Sequence, residues 1–220
     1  MRAIILLSGA KGAGKSTVSS MIKAMYPDAA ELALADKLKE VCAQVFQISK
    51  EKFFQPDLKE VPLENPVTLN IFQIKAILEA YSLEGTAANM KAYAGKVFTN
   101  PRQILQYVGS ELLRSKEPSI HCLLLTKSIG TNGVYIISDI RFMNELQFFK
   151  SNYGKDCHSF FVHRSIAELA SSLDGHVSER GIGDLAKNCR IINNNCELEE
   201  LEDRVEGVFE DLLERVLGLK

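Results

Sequence analysis

Five short apolar runs, separated by stretches with a helical period, organise this chain. The first, Ala3-Ile4-Ile5-Leu6-Leu7, carries no polar interruption, as expected of a strand buried on both faces. Thr17 to Met25 follows as a helix. A second run, Ala30 to Ala35, comes after a Pro27-Asp28 turn and leads into a helical pattern from Lys37 to Phe46. The remaining runs are Val134 to Ser138, His158 to His163 and Arg190 to Ile192. A helix is expected from Met143 to Asn152, and another from Glu197 to Leu217. Strands alternating with helices predict an α/β fold: a five-stranded parallel sheet with helices on both faces.

The stretch from about 49 to 131 breaks the alternation. Pro56, Pro62 and Pro66 make its first part irregular. Leu69, Ile71, Phe72, Ile74, Ile77, Leu78 and Tyr81 then mark an amphipathic helix. Asn100-Pro101 is a helix start, with Asn as cap and Pro at the first helical position, and this helix is expected to run to about Leu113. Pro118 opens a further helix, closed by Gly130. A long helical excursion between the second and third strands suits an acceptor-binding insertion within a single domain. In the last helix Leu198, Leu201, Val205, Val208, Leu212 and Val216 form one stripe, expected to dock on the chain's own core.

Composition narrows the classes. At 220 residues and 46% hydrophobic content the chain can bury one large core. Its net charge of −2 argues against a basic platform for a nucleic-acid polymer. No 18-residue apolar run is present, so neither a membrane span nor a signal peptide is expected. Five scattered cysteines without a C-x-x-C pair read as reduced thiols of a cytoplasmic protein.

The candidate chemistry begins with Gly9-Ala10-Lys11-Gly12-Ala13-Gly14-Lys15-Ser16, which fits G-x-x-x-x-G-K-[ST] between a strand and a helix. Such a loop turns backbone N–H groups and a helix N-terminus toward phosphates. Lys15 reaches the β- and γ-phosphates, and the Ser16 hydroxyl can ligate Mg²⁺. Asp139 ends the third strand and could share that metal, or could simply cap the helix that follows. Arg141, two residues on, suits a site where a charged phosphoryl group moves, as does Arg164 after the fourth strand. Arg180 is a second candidate for the same role. Arg102 and Arg114 could grip an acceptor phosphate. Of the four histidines, His121, His158 and His163 read as structural, and His176 stays open. No Asn/Thr-Lys-x-Asp stretch marks a guanine-specific switch, and the length suits a small kinase better than a motor.

The motifs resemble those of the bacteriophage-type deoxynucleoside monophosphate kinases and, more distantly, the animal-type phosphomevalonate kinases, within the nucleoside-monophosphate-kinase fold of P-loop NTPases. The likeness runs through the P-loop, Leu34 to Lys39, Pro101 to Glu111, Ser138 to Glu145, His176 to Glu179 and Ile192 to Asn195. It implies ATP and Mg²⁺, with Lys11, Gly12, Ala13, Gly14, Lys15, Ser16 and Thr17 on the phosphates and the adenine near Asn194. The implied acceptor is a (deoxy)nucleoside monophosphate. Its site would draw on Asp36, Leu38, Lys39, Arg102, Gln106, Gly109, Ser110, Arg141, Glu145, His176 and Glu179. Lys15, Asp139, Arg141 and Arg164 would be catalytic, Ser16 and Asp139 would hold the metal, and about 164–189 would be a lid. Another phosphorylated acceptor, or a non-catalytic ATP-dependent regulatory role, remains open, as does a homodimer.

Overall fold

The computed structural model describes residues 2–166 and 182–217. It divides into two compact units, one of Met1–Leu34 with Leu125–Lys220 and one of Ala35–Leu124.

The first unit is an α/β fold. Strands β1 (Arg2–Ser8), β2 (Ala30–Leu32), β5 (Gly133–Ile140), β6 (Cys157–His163) and β7 (Arg190–Asn193) form one sheet in the order β2-β5-β1-β6-β7. Every pairing in it is parallel. The apolar run beginning at Ala3 therefore becomes the central strand, buried along its length because both neighbours and both faces are occupied. Alternation sends Ala3, Ile5 and Leu7 to one face and Ile4 and Leu6 to the other. The first face packs with Val18 and Ile22 of α1 (Lys15–Met25).

It also packs with Leu201, Val205, Phe209 and Leu213 of the last helix, α10 (Leu198–Leu217). That helix docks on its own core, as its stripe suggested, with the Phe209 ring 4.6 Å from that of Phe160. The buried row is shifted, however, and Leu198 is exposed. α8 (Met143–Tyr153) buries Leu146 and Phe149. α9 (Ile182–Lys187) precedes β7. No helix among the described residues is long and apolar enough to cross a membrane.

The second unit has its own core. Helices α2 (Asp36–Phe46), α3 (Lys50–Phe54), α4 (Ile71–Ala80), α5 (Ala87–Tyr93) and α6 (Pro101–Gln106) accompany a small antiparallel pair, β3 (Val67–Thr68) with β4 (Val97–Phe98). Helix α7 (Ile120–Thr126) begins in this unit and ends in the first. Val41, Phe46, Phe53, Ile74, Ile77, Phe98, Ile104 and Val108 are buried together. Asn70 caps α4 through a bond from the Gln73 N–H at 2.9 Å, and Asn100 caps α6 likewise at 3.0 Å. Two differences from the sequence pattern stand out. Phe72, expected in the α4 stripe, is 84% exposed, because it lies nearly half a turn away from the face set by Ile74, Ile77 and Leu78. The helix starting at Pro101 changes character: Tyr107–Arg114 is π-helical, an irregularity that often accompanies function.

Candidate active site

Parallel strands deliver their carboxyl ends to one edge of the sheet, the ordinary place for ligands in such folds. Here Ser8 lies level with Ile140 on one side and with Phe161 on the other. His163 in turn lies level with Asn193. The P-loop, the Asp139–Arg141 segment, Arg164 and Asn194 thus all emerge at the same edge.

The loop from Gly9 to Gly14 is shaped by close backbone approaches. Gly9 has φ +140°, and a Cβ there would stand 2.5 Å from the Val162 carbonyl oxygen of β6. Gly14, at φ +98°, precedes α1 in the left-handed region, and a Cβ there would run into the Asn194 amide. No side chain caps the first turn of α1, which leaves that turn suited to an anion. Lys15 Nζ donates to the Gly9 and Ala10 carbonyls at 2.7 and 2.8 Å, so the ammonium lies along the loop it belongs to. Lys11, Ser16 and Thr17 are exposed at the loop and helix start, beside Gly12. An uncapped helix start, an ammonium and an exposed hydroxyl fit a polyphosphate. Among the described residues no group of three His, Cys, Asp or Glu side chains could hold a metal.

Asp139 lies within β5, one residue before its end, and it does not cap α8. Its Oδ1 accepts the Leu34 N–H at 2.8 Å, tying β5 to the segment that follows β2. The backbone before α8 is held by Glu145 instead. That carboxylate, almost wholly buried, accepts the N–H groups of Arg141 at 2.8 Å and Phe142 at 3.1 Å. Asn194, also buried, donates from Nδ2 to the Ala13 carbonyl at 2.7 Å. The geometry gives Glu145 and Asn194 bracing roles that the sequence did not announce. A Glu three residues into a helix was a usable signal for the first. Nothing local signals the second. Arg141 and Arg164 are exposed, and His176, Glu179 and Arg180 lie outside the described residues.

The remaining candidates belong to the second unit. Asp36 and Lys39 pair on α2 at 2.6 Å, with the Lys39 ammonium 4.8 Å from the centre of the Phe54 ring. Arg102 Nε lies 2.9 Å from the Glu60 carboxylate, which therefore neighbours any phosphate held by this guanidinium. Gly109 is buried in the π-helical stretch, where a Cβ would stand 2.8 Å from Leu38 Cδ2, so these two candidates are brought together. Gln106 and Ser110 are half-buried on either side. Beneath them His121 meets Tyr81 edge to face, ring centres 5.9 Å apart. Burial, followed by the Arg114 charge, lowers the His121 pKa to about 4 and keeps the ring neutral.

No family model matches the chain. A protein of Acanthamoeba polyphaga mimivirus named "Putative deoxynucleotide monophosphate kinase" is 25% identical over 217 residues, covering 92% of this chain and 93% of its own. That alignment spans most of both chains. Among solved structures, a gluconokinase from Sinorhizobium meliloti aligns with TM-score 0.42 and 11% identity over 100% of this chain and 98% of that one. Dephospho-CoA kinase from Campylobacter jejuni aligns with TM-score 0.43 and 12% identity, over 94% and 96% of the two chains.

Proposed function

We propose that this chain is a cytoplasmic kinase that transfers the γ-phosphoryl of MgATP to the phosphate of a deoxynucleoside 5′-monophosphate. A phosphate oxygen of the acceptor attacks the γ-phosphorus, the bond to the β-bridging oxygen breaks, and ADP and a diphosphate leave. The observation that carries this reading is the complete P-loop at the carboxyl end of the central strand, with Asp139 and Arg141 emerging beside it from β5. The name of the mimivirus relative, a deoxynucleotide monophosphate kinase, supports the acceptor class.

Phosphoryl transfer asks the protein mainly for position and positive charge. Lys15 and the first turn of α1 hold the polyphosphate. Ser16 and Asp139 would hold the magnesium, which neutralises charge on the phosphates when bound. Arg141 and Arg164 face the charge that develops on the transferring group. In the second unit Asp36, Leu38, Lys39, Arg102, Gln106, Gly109 and Ser110 bind the acceptor, the Arg102 guanidinium taking its phosphate. The last described residues before 167 lead into a segment that carries His176 and Glu179, assigned to the same acceptor.

The test is ADP release, measured by a coupled assay against a panel of deoxynucleoside monophosphates, ribonucleoside monophosphates and phosphomevalonate. Stimulation by at least one deoxynucleoside monophosphate is expected. Stimulation by phosphomevalonate alone would replace the acceptor. Slow hydrolysis that no acceptor stimulates would point to a regulatory ATP-binding protein instead.

A further inference from the structure

The turn after β7 reads Asn193-Asn194-Asn195, and its three side chains do different work. Asn193 Oδ1 accepts the Asn195 N–H at 3.0 Å and the Asn195 side-chain amide at 2.8 Å, which closes the turn on itself. Arg204 of α10 donates to the Asn193 carbonyl at 2.8 Å. Asn195 Oδ1 accepts the Ser165 N–H at 2.8 Å, and the Asn194 N–H reaches the His163 carbonyl at 2.8 Å. The backbone of the turn is thus anchored without any help from the Asn194 side chain. That side chain points the other way, donating to the Ala13 carbonyl while standing where a Cβ on Gly14 would have to go.

We propose that Asn194 is a positioning residue for the P-loop, acting through the Ala13–Gly14 peptide rather than touching the nucleotide base. A trans peptide is planar, and its carbonyl and N–H point in opposite directions. Fixing the Ala13 carbonyl on Asn194 therefore turns the Gly14 N–H to the opposite side, where the loop receives phosphate. An aspartate of the same shape has no N–H to give and would set a carboxylate against both the carbonyl and the incoming anion. The inference rests on the proposed binding of ATP at this loop.

The test compares the intact chain with Asn194→Ala and Asn194→Asp, using calorimetric Kd for MgATP, the KM of the acceptor and the melting temperature. Losing one buried hydrogen bond should raise the Kd for MgATP about tenfold in the alanine variant. The aspartate variant should lose more, and the acceptor KM should stay within about twofold of wild type in both. Lys15→Met, run in parallel, reports on the loop itself. A Kd for MgATP unchanged in both Asn194 variants would overturn the inference and leave the proposed function standing. Equal losses for ATP and acceptor would also overturn it, showing general damage. A wild-type chain that binds no MgATP would overturn both.

Discussion

Glu145→Ala removes a carboxylate that holds the Arg141 turn by two hydrogen bonds, at 2.8 and 3.1 Å, from a position only 2% exposed. Bonds to a charged acceptor contribute about 1.5–3 kcal/mol each, and the N–H groups left behind also lose their partner. Water can reach the exposed Arg141 and recover part of this, so the expected loss of stability is about 2–4 kcal/mol. Glu145→Gln keeps an acceptor oxygen on the same stem and should lose about 1–2 kcal/mol. The chain has no Trp, so urea unfolding is best followed by far-UV circular dichroism, comparing midpoints at constant slope. Turnover offers a second reading, because the same bonds fix where Arg141 leaves β5. Glu145→Ala should lower kcat/KM at least about tenfold, while Glu145→Gln should stay close to wild type. A loss below about 1 kcal/mol in the alanine variant would refute the bracing role. So would a glutamine variant as impaired in turnover as alanine, which would place the carboxylate's charge at the acceptor.

Lys15→Met should lower turnover on the preferred acceptor by about 10²- to 10⁴-fold in the coupled assay, since a cation beside the phosphates is lost; near-normal turnover would remove the kinase reading. For His121 the sign follows from burial: the folded ring protonates near pH 4, the unfolded one near its ordinary value of about 6.5. Stability is therefore whole above about pH 6.5 and falls as pH drops toward 4, by up to about 3 kcal/mol from this group. Urea midpoints at pH 7 and pH 4.5 should converge in His121→Phe relative to wild type, and an unchanged pH slope in the variant would contradict the assignment.

What the sequence determined by itself was whatever rests on short-range pattern. The P-loop is eight consecutive residues. The apolar runs announced five parallel strands, and the cap at Asn100 needs only its neighbour three residues on. The period of the last helix even indicated that it would dock, since an apolar stripe must be covered.

Tertiary structure decided the rest, because the deciding partner lies far along the chain. Asn194 meets Ala13 across 181 residues, and Asp139 meets Leu34 across 105, so no local motif distinguishes a brace from a ligand contact. Phe72 looked like core until Ile74, Ile77 and Leu78 fixed which face of α4 turns inward. Gly109 sits in a π-helical turn whose need for a missing Cβ comes from Leu38, on another helix. Local sequence sets which groups are present and roughly what backbone they prefer. Only packing sets which of their hydrogen-bonding atoms are engaged by the protein itself, and so what is left for chemistry.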